Sequence, residues 1–184
     1  MKAKPANKRG EVVLELNRRD EPLMTAATTT ASPFRLKKIL VPIDFSDCAK
    51  KALQYAIPLA KEHQAALKLL YVVPPPYAVG EYGGIDFAQL EADLRVSGDK
   101  ELAKLAVEEV RGAVPADTLV RVGSPAREIV EAAKRLDVDA IVISTHGRTG
   151  LQHVLLGSVV ENVVRRAPCP VLVVREREHE FLAQ

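Results

Sequence analysis

From Leu36 to Val174, short apolar runs alternate with segments whose apolar residues recur at helical spacing. Ile39-Leu40-Val41-Pro42-Ile43, Leu67 to Val73, Asp139 to Ile143 and Val171 to Val174 carry almost no polar residues, as strands buried on both faces do. Thr118-Leu119-Val120-Arg121-Val122 alternates instead, which suits a strand near a sheet edge. Between the strands, Ala49, Ala52, Leu53, Ala56, Ile57 and Ala60 form one helical stripe, and Ile129, Val130, Ala133 and Leu136 another. Ser46 is placed to cap the first of these helices. Pro58 interrupts that helix and removes one backbone bond. Ser124 is placed to cap the second, with Pro125 at its first position. A long Ala/Glu/Leu/Lys helix ends near Gly112. Doubly buried strands alternating with helices imply an α/β three-layer sandwich, a five-stranded parallel sheet with right-handed crossovers and helices on both faces. Ligands of such sheets bind at the carboxyl ends of the strands, where the strand order reverses.

The run Asp139 to Ile143 leads into Ser144-Thr145-His146-Gly147-Arg148-Thr149-Gly150, and the chain reaches Gly157-Ser158 before the helical pattern Val159, Val160, Val163, Val164. A strand, a glycine-bearing loop and a helix start together suit an anion, because glycines let the backbone approach and the first amides of a helix point outward. No Gly-Lys-Ser/Thr follows at P-loop distance, and G-x-G-x-x-G is absent. The Ser158 hydroxyl and the N–H groups of Val159 and Val160 can face a phosphate. The competing reading is a capping box, since Ser158-Val159-Val160-Glu161 fits S-x-x-E. Asp44, directly after a buried strand, reads either as a ligand acceptor or as a helix-cap aspartate beside Ser46 and Asp47. Pro42, Ile43 and Val72 read equally well as core. His146 and His153 have no carboxylate partner evident in sequence, so no catalytic residue and no metal ligand is assigned.

The net charge of +2, scattered basic residues and 4% aromatics give no argument for nucleic acid. Cys48 and Cys169 lack metal spacing and read as reduced core residues. No apolar stretch reaches the roughly 18 residues that span a bilayer, and no signal peptide is recognisable, so neither a membrane nor export is expected and the cytoplasm is the default.

Leu36 to Asp44 resembles the first strand of the universal stress protein family, and Pro168 to Val174 its last. Gly147, nine further residues and then Gly157-Ser158 resemble the family's nucleotide-binding signature. The resemblance runs from about Leu36 to Arg175. It implies an adenine nucleotide alpha hydrolase-like sheet of order 3-2-1-4-5, which brings Asp44 beside Ser144 to Gly147. It further implies that Asp44 accepts from ribose or adenine, that Pro42 and Ile43 line the adenine pocket, and that the Val72 backbone meets the adenine edge. Gly147, Arg148, Gly157, Ser158, Val159 and Val160 would then hold phosphates, with Mg²⁺ carried on them. Members often have a further glycine where this chain has Ser144, whose side chain can crowd the pocket or donate its hydroxyl.

The organisation expected is a flexible arm over 1–34, the domain over 35–177 and a tail over 178–184. Pro74 to Gly84 reads as a lid or as a plain connector. Val171 to Val174 ends the sheet with nothing to blunt its edge, so a homodimer through that strand is expected, as the family implies. The leading function is regulatory ATP binding in a stress response, with weak ATPase activity at most. A dimeric scaffold with an empty pocket and a slow ATP hydrolase are the alternatives, and cyclic AMP fits the same pocket.

Overall fold

Strands form where the apolar runs lie. A computed structural model describes residues 2–5, 12–15, 35–75, 87–147 and 156–175. The chain divides into two units, 1–35 and 36–184. In the first, β1 (Lys2–Pro5) and β2 (Val12–Glu15) pair antiparallel, Lys2 opposite Glu15. Both strands fall within 1–34, the stretch expected as a flexible arm.

The second unit runs β3 (Lys38–Ile43), α1 (Asp47–His63), β4 (Ala66–Val73), α2 (Phe87–Leu105), β5 (Ala116–Val122), α3 (Pro125–Leu136), β6 (Ala140–Ser144), α4 (Ser158–Arg166) and β7 (Val171–Val174). All five of its strands are parallel, in the order β5-β4-β3-β6-β7. Counted from the first strand of this unit, that is 3-2-1-4-5, the doubly wound order expected, with the reversal between β3 and β6.

Alternation along the strands divides the core into two layers. Ile39, Val41 and Leu69 face α1 and α2, meeting Leu53, Ala56 and Leu102. Leu40, Leu70 and Ile141 face α3 and α4, meeting Ile129, Ala133 and Val163. Ile39, Leu40, Val41, Ile141 and Val142 are wholly buried, so the two strands flanking the reversal form the rigid centre. Each such branched side chain contributes about 2 kcal/mol by leaving water.

Local signals act as their chemistry dictates, with three exceptions. Ser46 caps α1, accepting from the Ala49 amide at 3.2 Å. The α1 helix continues through the exposed Pro58 to His63. Ser124 occupies the cap position of α3, but its hydroxyl makes no capping bond, and Pro125 begins the helix. The long helix does not stay α-helical to Gly112: α2 ends at Leu105 and widens to a π-turn over Ala106–Val110, followed by left-handed Arg111 and Gly112. Asp139 joins β3 to β6 at the amino end of the sheet, accepting from the amides of Lys37 (2.6 Å) and Lys38 (2.8 Å). Among the described residues no helix is long and apolar enough to cross a membrane.

Candidate functional site

The crevice at the strand-order reversal begins in the sheet itself. The β3–β4 ladder runs the length of β3, from Lys38↔Ala66 to Ile43↔Tyr71. The β3–β6 register covers only Ile39↔Ala140 and Leu40↔Ile141. Pro42 has no N–H to donate, which fits a ladder that stops before reaching it. The carboxyl ends of β3 and β6 therefore part, and the chain that leaves each of them borders the gap.

Asp44 leaves β3 at this point. Its Oδ1 accepts from the Ser46 amide at 3.1 Å and the Ser46 hydroxyl at 2.5 Å. That fixes one side of the carboxylate as a turn acceptor, so the bland reading of Asp44 describes Oδ1. The other oxygen, Oδ2, lies against Gly147, where a Cβ would overlap it. Gly147 does not have a left-handed φ. Its missing side chain serves space, and the space is taken by Asp44. The two residues singled out by sequence, 103 positions apart, are in contact.

Between Asp44 and Ser46 stands Phe45, a non-glycine residue with φ 65°. Such a conformation costs a bulky residue on the order of 1 kcal/mol or more and persists only where its surroundings impose it. Its ring rests on Tyr71, with centroids 4.7 Å apart and planes inclined by 55°. Sequence reasoning missed Phe45; its one trace is an aromatic residue between two turn-forming side chains.

The β6 side is built on Thr145, also missed, which is 3% exposed. Its amide donates to the Val174 carbonyl at 2.9 Å, and its carbonyl accepts from the Gly157 amide at 3.0 Å. One residue thus ties the loop after β6 to the end of β7 and to the start of α4. Ser144 is buried, and its hydroxyl donates to the His146 carbonyl at 2.9 Å, so this departure from glycine closes the turn of the loop. His146 Nδ1 lies 3.0 Å from Thr145 Oγ1.

The start of α4 decides between anion site and capping box. Gly157 is the cap residue, with extended backbone (φ −68°, ψ 150°), and no side chain caps the helix. The Glu161 amide bonds to the Gly157 carbonyl at 3.0 Å. Ser158 is therefore the first helical residue and not the cap. Glu161 does not reach back to the helix start but pairs with Arg165, at 2.9 and 3.1 Å. The capping box written in the sequence is not formed. The amides of Ser158, Val159 and Val160 have no acceptor within the helix, as first-turn amides do not. They present the positive end of the helix dipole beside Gly157. A Cβ on Gly157 would come 3.1 Å from the Thr145 carbonyl, so this approach too is close.

The apolar site candidates sit deeper. Pro42, Ile43 and Val72 are buried, Val72 one step beyond the Ile43↔Tyr71 pair and so level with Asp44. Arg148, His153 and the segment Tyr77 to Gly84 lie outside the described residues. Both cysteines are thiols. Burial, and then the charge of Asp139, push the Cys169 thiol above its ordinary value.

A family model described as the universal stress protein family matches residues 35–175. The chain belongs to the universal stress protein family. Universal stress protein MJ0531 of Methanocaldococcus jannaschii is 39% identical over 144 residues, 78% of this chain and 85% of the relative. The universal stress protein UspA from Lactobacillus plantarum has a solved structure that superposes with a TM-score of 0.68. It is 32% identical and is matched over 77% of this chain and 99% of its own. A universal stress protein solved in complex with cAMP is 26% identical, with a TM-score of 0.55 and coverage of 78% and 100%.

Proposed function

We propose that the crevice between β3 and β6 binds an adenine nucleotide, ATP with Mg²⁺ on its phosphates, and that binding is regulatory, in a cytoplasmic stress response. The observation that carries this reading is the uncapped start of α4. Three consecutive amides at the start of α4 have no side-chain cap, directly after a glycine that lets the backbone come close, and a phosphate is the group such an arrangement accepts best. Ser158, Val159, Val160 and Gly147 would hold phosphates, and Arg148 would add a charge-assisted donor. Asp44, its rotamer set by Ser46, is an acceptor for ribose or adenine hydroxyl and amino groups. Pro42, Ile43 and Val72 would line the base. Mg²⁺ would offset phosphate charge beside Asp44; no group of three or more metal-ligating side chains occurs among the described residues.

Hydrolysis needs a base that positions water and carboxylates that hold the metal. Asp44 already accepts two hydrogen bonds from Ser46, so turnover is expected to be slow at most. The cAMP complex of a relative supports a second ligand, since one adenine pocket and one helix terminus suit either nucleotide. The partner proposed is a second copy of the chain, joined through β7, where Leu172 is 45% exposed, with Val164 of α4 47% exposed.

Mass spectrometry of ligand released from the denatured protein, with calorimetric titration of Mg-ATP and of cAMP, tests the proposal. ATP bound at micromolar affinity and lost in Gly157→Val is the expected result. No released nucleotide and no heat in either titration would leave a dimeric scaffold of the same fold.

A further inference from the structure

At the other end of the sheet, β5 pairs with β4 and has no second neighbour among the described residues. Along that edge runs a groove of about 420 Å³ whose floor is Leu119 to Val122. Glu91 and Arg95 of α2 form one wall, Glu128 and Arg135 of α3 the other. The inner stripe of α2 is apolar at Gly98, Leu102 and Leu105, which are buried. One and two turns before Gly98 it becomes Arg95 and Glu91, charges of no use in covering a sheet. None of the groove's three arginines and two glutamates has an ion-pair or hydrogen-bond partner for its side chain among the described residues. Arg121 Nε is moreover buried, which makes a missing acceptor costly.

We propose that this groove docks an extended peptide that joins β5 as a sixth strand, with a carboxylate facing Arg121 and apolar side chains beside Val120 and Val122. The floor is a run of strand backbone, which is what strand addition requires. Side chains of an added strand alternate between the two faces, as those of β5 do. Leu119 packs in the α3–α4 layer and Val120 in the α1–α2 layer, so Arg121 falls on the α3 side. There it stands with Arg135 against a single Glu128, an excess of one positive charge. On the α2 side Glu91 and Arg95 balance, and the strand offers Val120 and Val122. An occupant alternating acidic with apolar residues matches both sides, its acidic residues adjacent to Arg121 as cross-strand neighbours.

The probe is an end-capped, fluorescein-labelled octapeptide of alternating Val and Glu, titrated into the full chain and followed by anisotropy. Saturable binding is expected, weakened about tenfold by Arg121→Gln, the cost of one charged hydrogen bond. Two N-methylated versions leave the protein untouched. Methylation of one alternate set of amides should abolish binding and of the other spare it, because a strand pairs through one edge. Equal binding of a Val/Lys octapeptide, insensitivity to Arg121→Gln in a variant whose melting curve is intact, or equal binding of both methylated forms would overturn the proposal. Displacement by glutarate or phosphate at the peptide's own concentration would overturn it too, making the groove a small-anion site.

Discussion

An alanine at Gly147 would place its Cβ on Asp44 Oδ2, and this one contact separates two explanations of why glycine stands there. If space is the reason, removing the carboxylate should restore what the methyl takes away. Gly147→Ala alone is expected to cost about 1–3 kcal/mol in urea unfolding, the range for overpacking, and to abolish nucleotide heat. In an Asp44→Ala background the same substitution should cost markedly less stability, a coupling that a double-mutant cycle measures. Additive costs would mean that the backbone, and not Asp44, demands glycine. A second residue-scale expectation concerns Cys169. Its raised pKa moves the pH profile of its alkylation above that of a free thiol, and deprotonation costs stability as pH rises through the unfolded value toward the folded one. Asp139→Asn should shift the profile down but leave it above a free thiol's, because burial is the larger cause. At this scale the sequence carried Asp44 and Gly147 as candidates, through their places after apolar strands. Their meeting was legible only through the family resemblance, whose strand order brings Asp44 beside Ser144 to Gly147, and the left-handed Phe45 was not legible at all, since it rests on Tyr71, more than twenty residues distant.

At the scale of elements, strands and helices were legible because each is apolar in its own period, and apart from Pro58, which the first helix runs through, the errors lie at helix ends. The motif Ser158-x-x-Glu161 reads as a capping box only if Ser158 is the cap. The bond from the Gly157 amide to Thr145 accompanies a cap one residue earlier, which leaves Glu161 one residue too far along. Glu161→Ala should therefore cost no more than about 0.5 kcal/mol, the worth of an exposed ion pair four residues apart. A loss of about 1 kcal/mol or more would revive the capping box. The π-turn after α2 was equally invisible, since Ala106–Val110 has an ordinary helical composition. Gly98 of α2 is a clearer case of an element placed by one small residue. A Cβ there would lie 2.7 Å from the Tyr71 ring, which is itself held against Phe45. Helix propensity favours Gly98→Ala by about 1 kcal/mol, while overpacking opposes it by about 1–3 kcal/mol. A net loss of roughly 1 kcal/mol is expected on urea unfolding, and a gain would mean that Tyr71 has room to move.

Across the whole molecule, the two ends of the sheet differ in chemistry, and the partners proposed for them differ accordingly. The β5 end is charged, with arginines and glutamates on both walls. The β7 end is apolar, and its Leu172 lies open on a strand with no charge or proline to blunt it. Leu172→Lys should convert the dimer proposed through β7 into a monomer in sedimentation equilibrium, and an unchanged mass would place any dimer elsewhere. The same strand is bonded to the loop after β6, because the Val174 carbonyl accepts from the Thr145 amide and the Thr145 carbonyl accepts from the Gly157 amide. A ligand that orders Gly157 and the start of α4 thereby also fixes the end of β7. Coupling between two sites is reciprocal, so a nucleotide that favours the ordered strand must bind more tightly to the dimer. Sedimentation at several protein concentrations, with and without Mg-ATP, should show a dimer dissociation constant lowered about fivefold or more, the lower bound of ordinary allosteric coupling. The Leu172→Lys monomer should in turn bind Mg-ATP more weakly by the same factor. Equal affinity of monomer and dimer for the nucleotide would mean that the bond at Thr145 is only structural and that assembly and binding are independent.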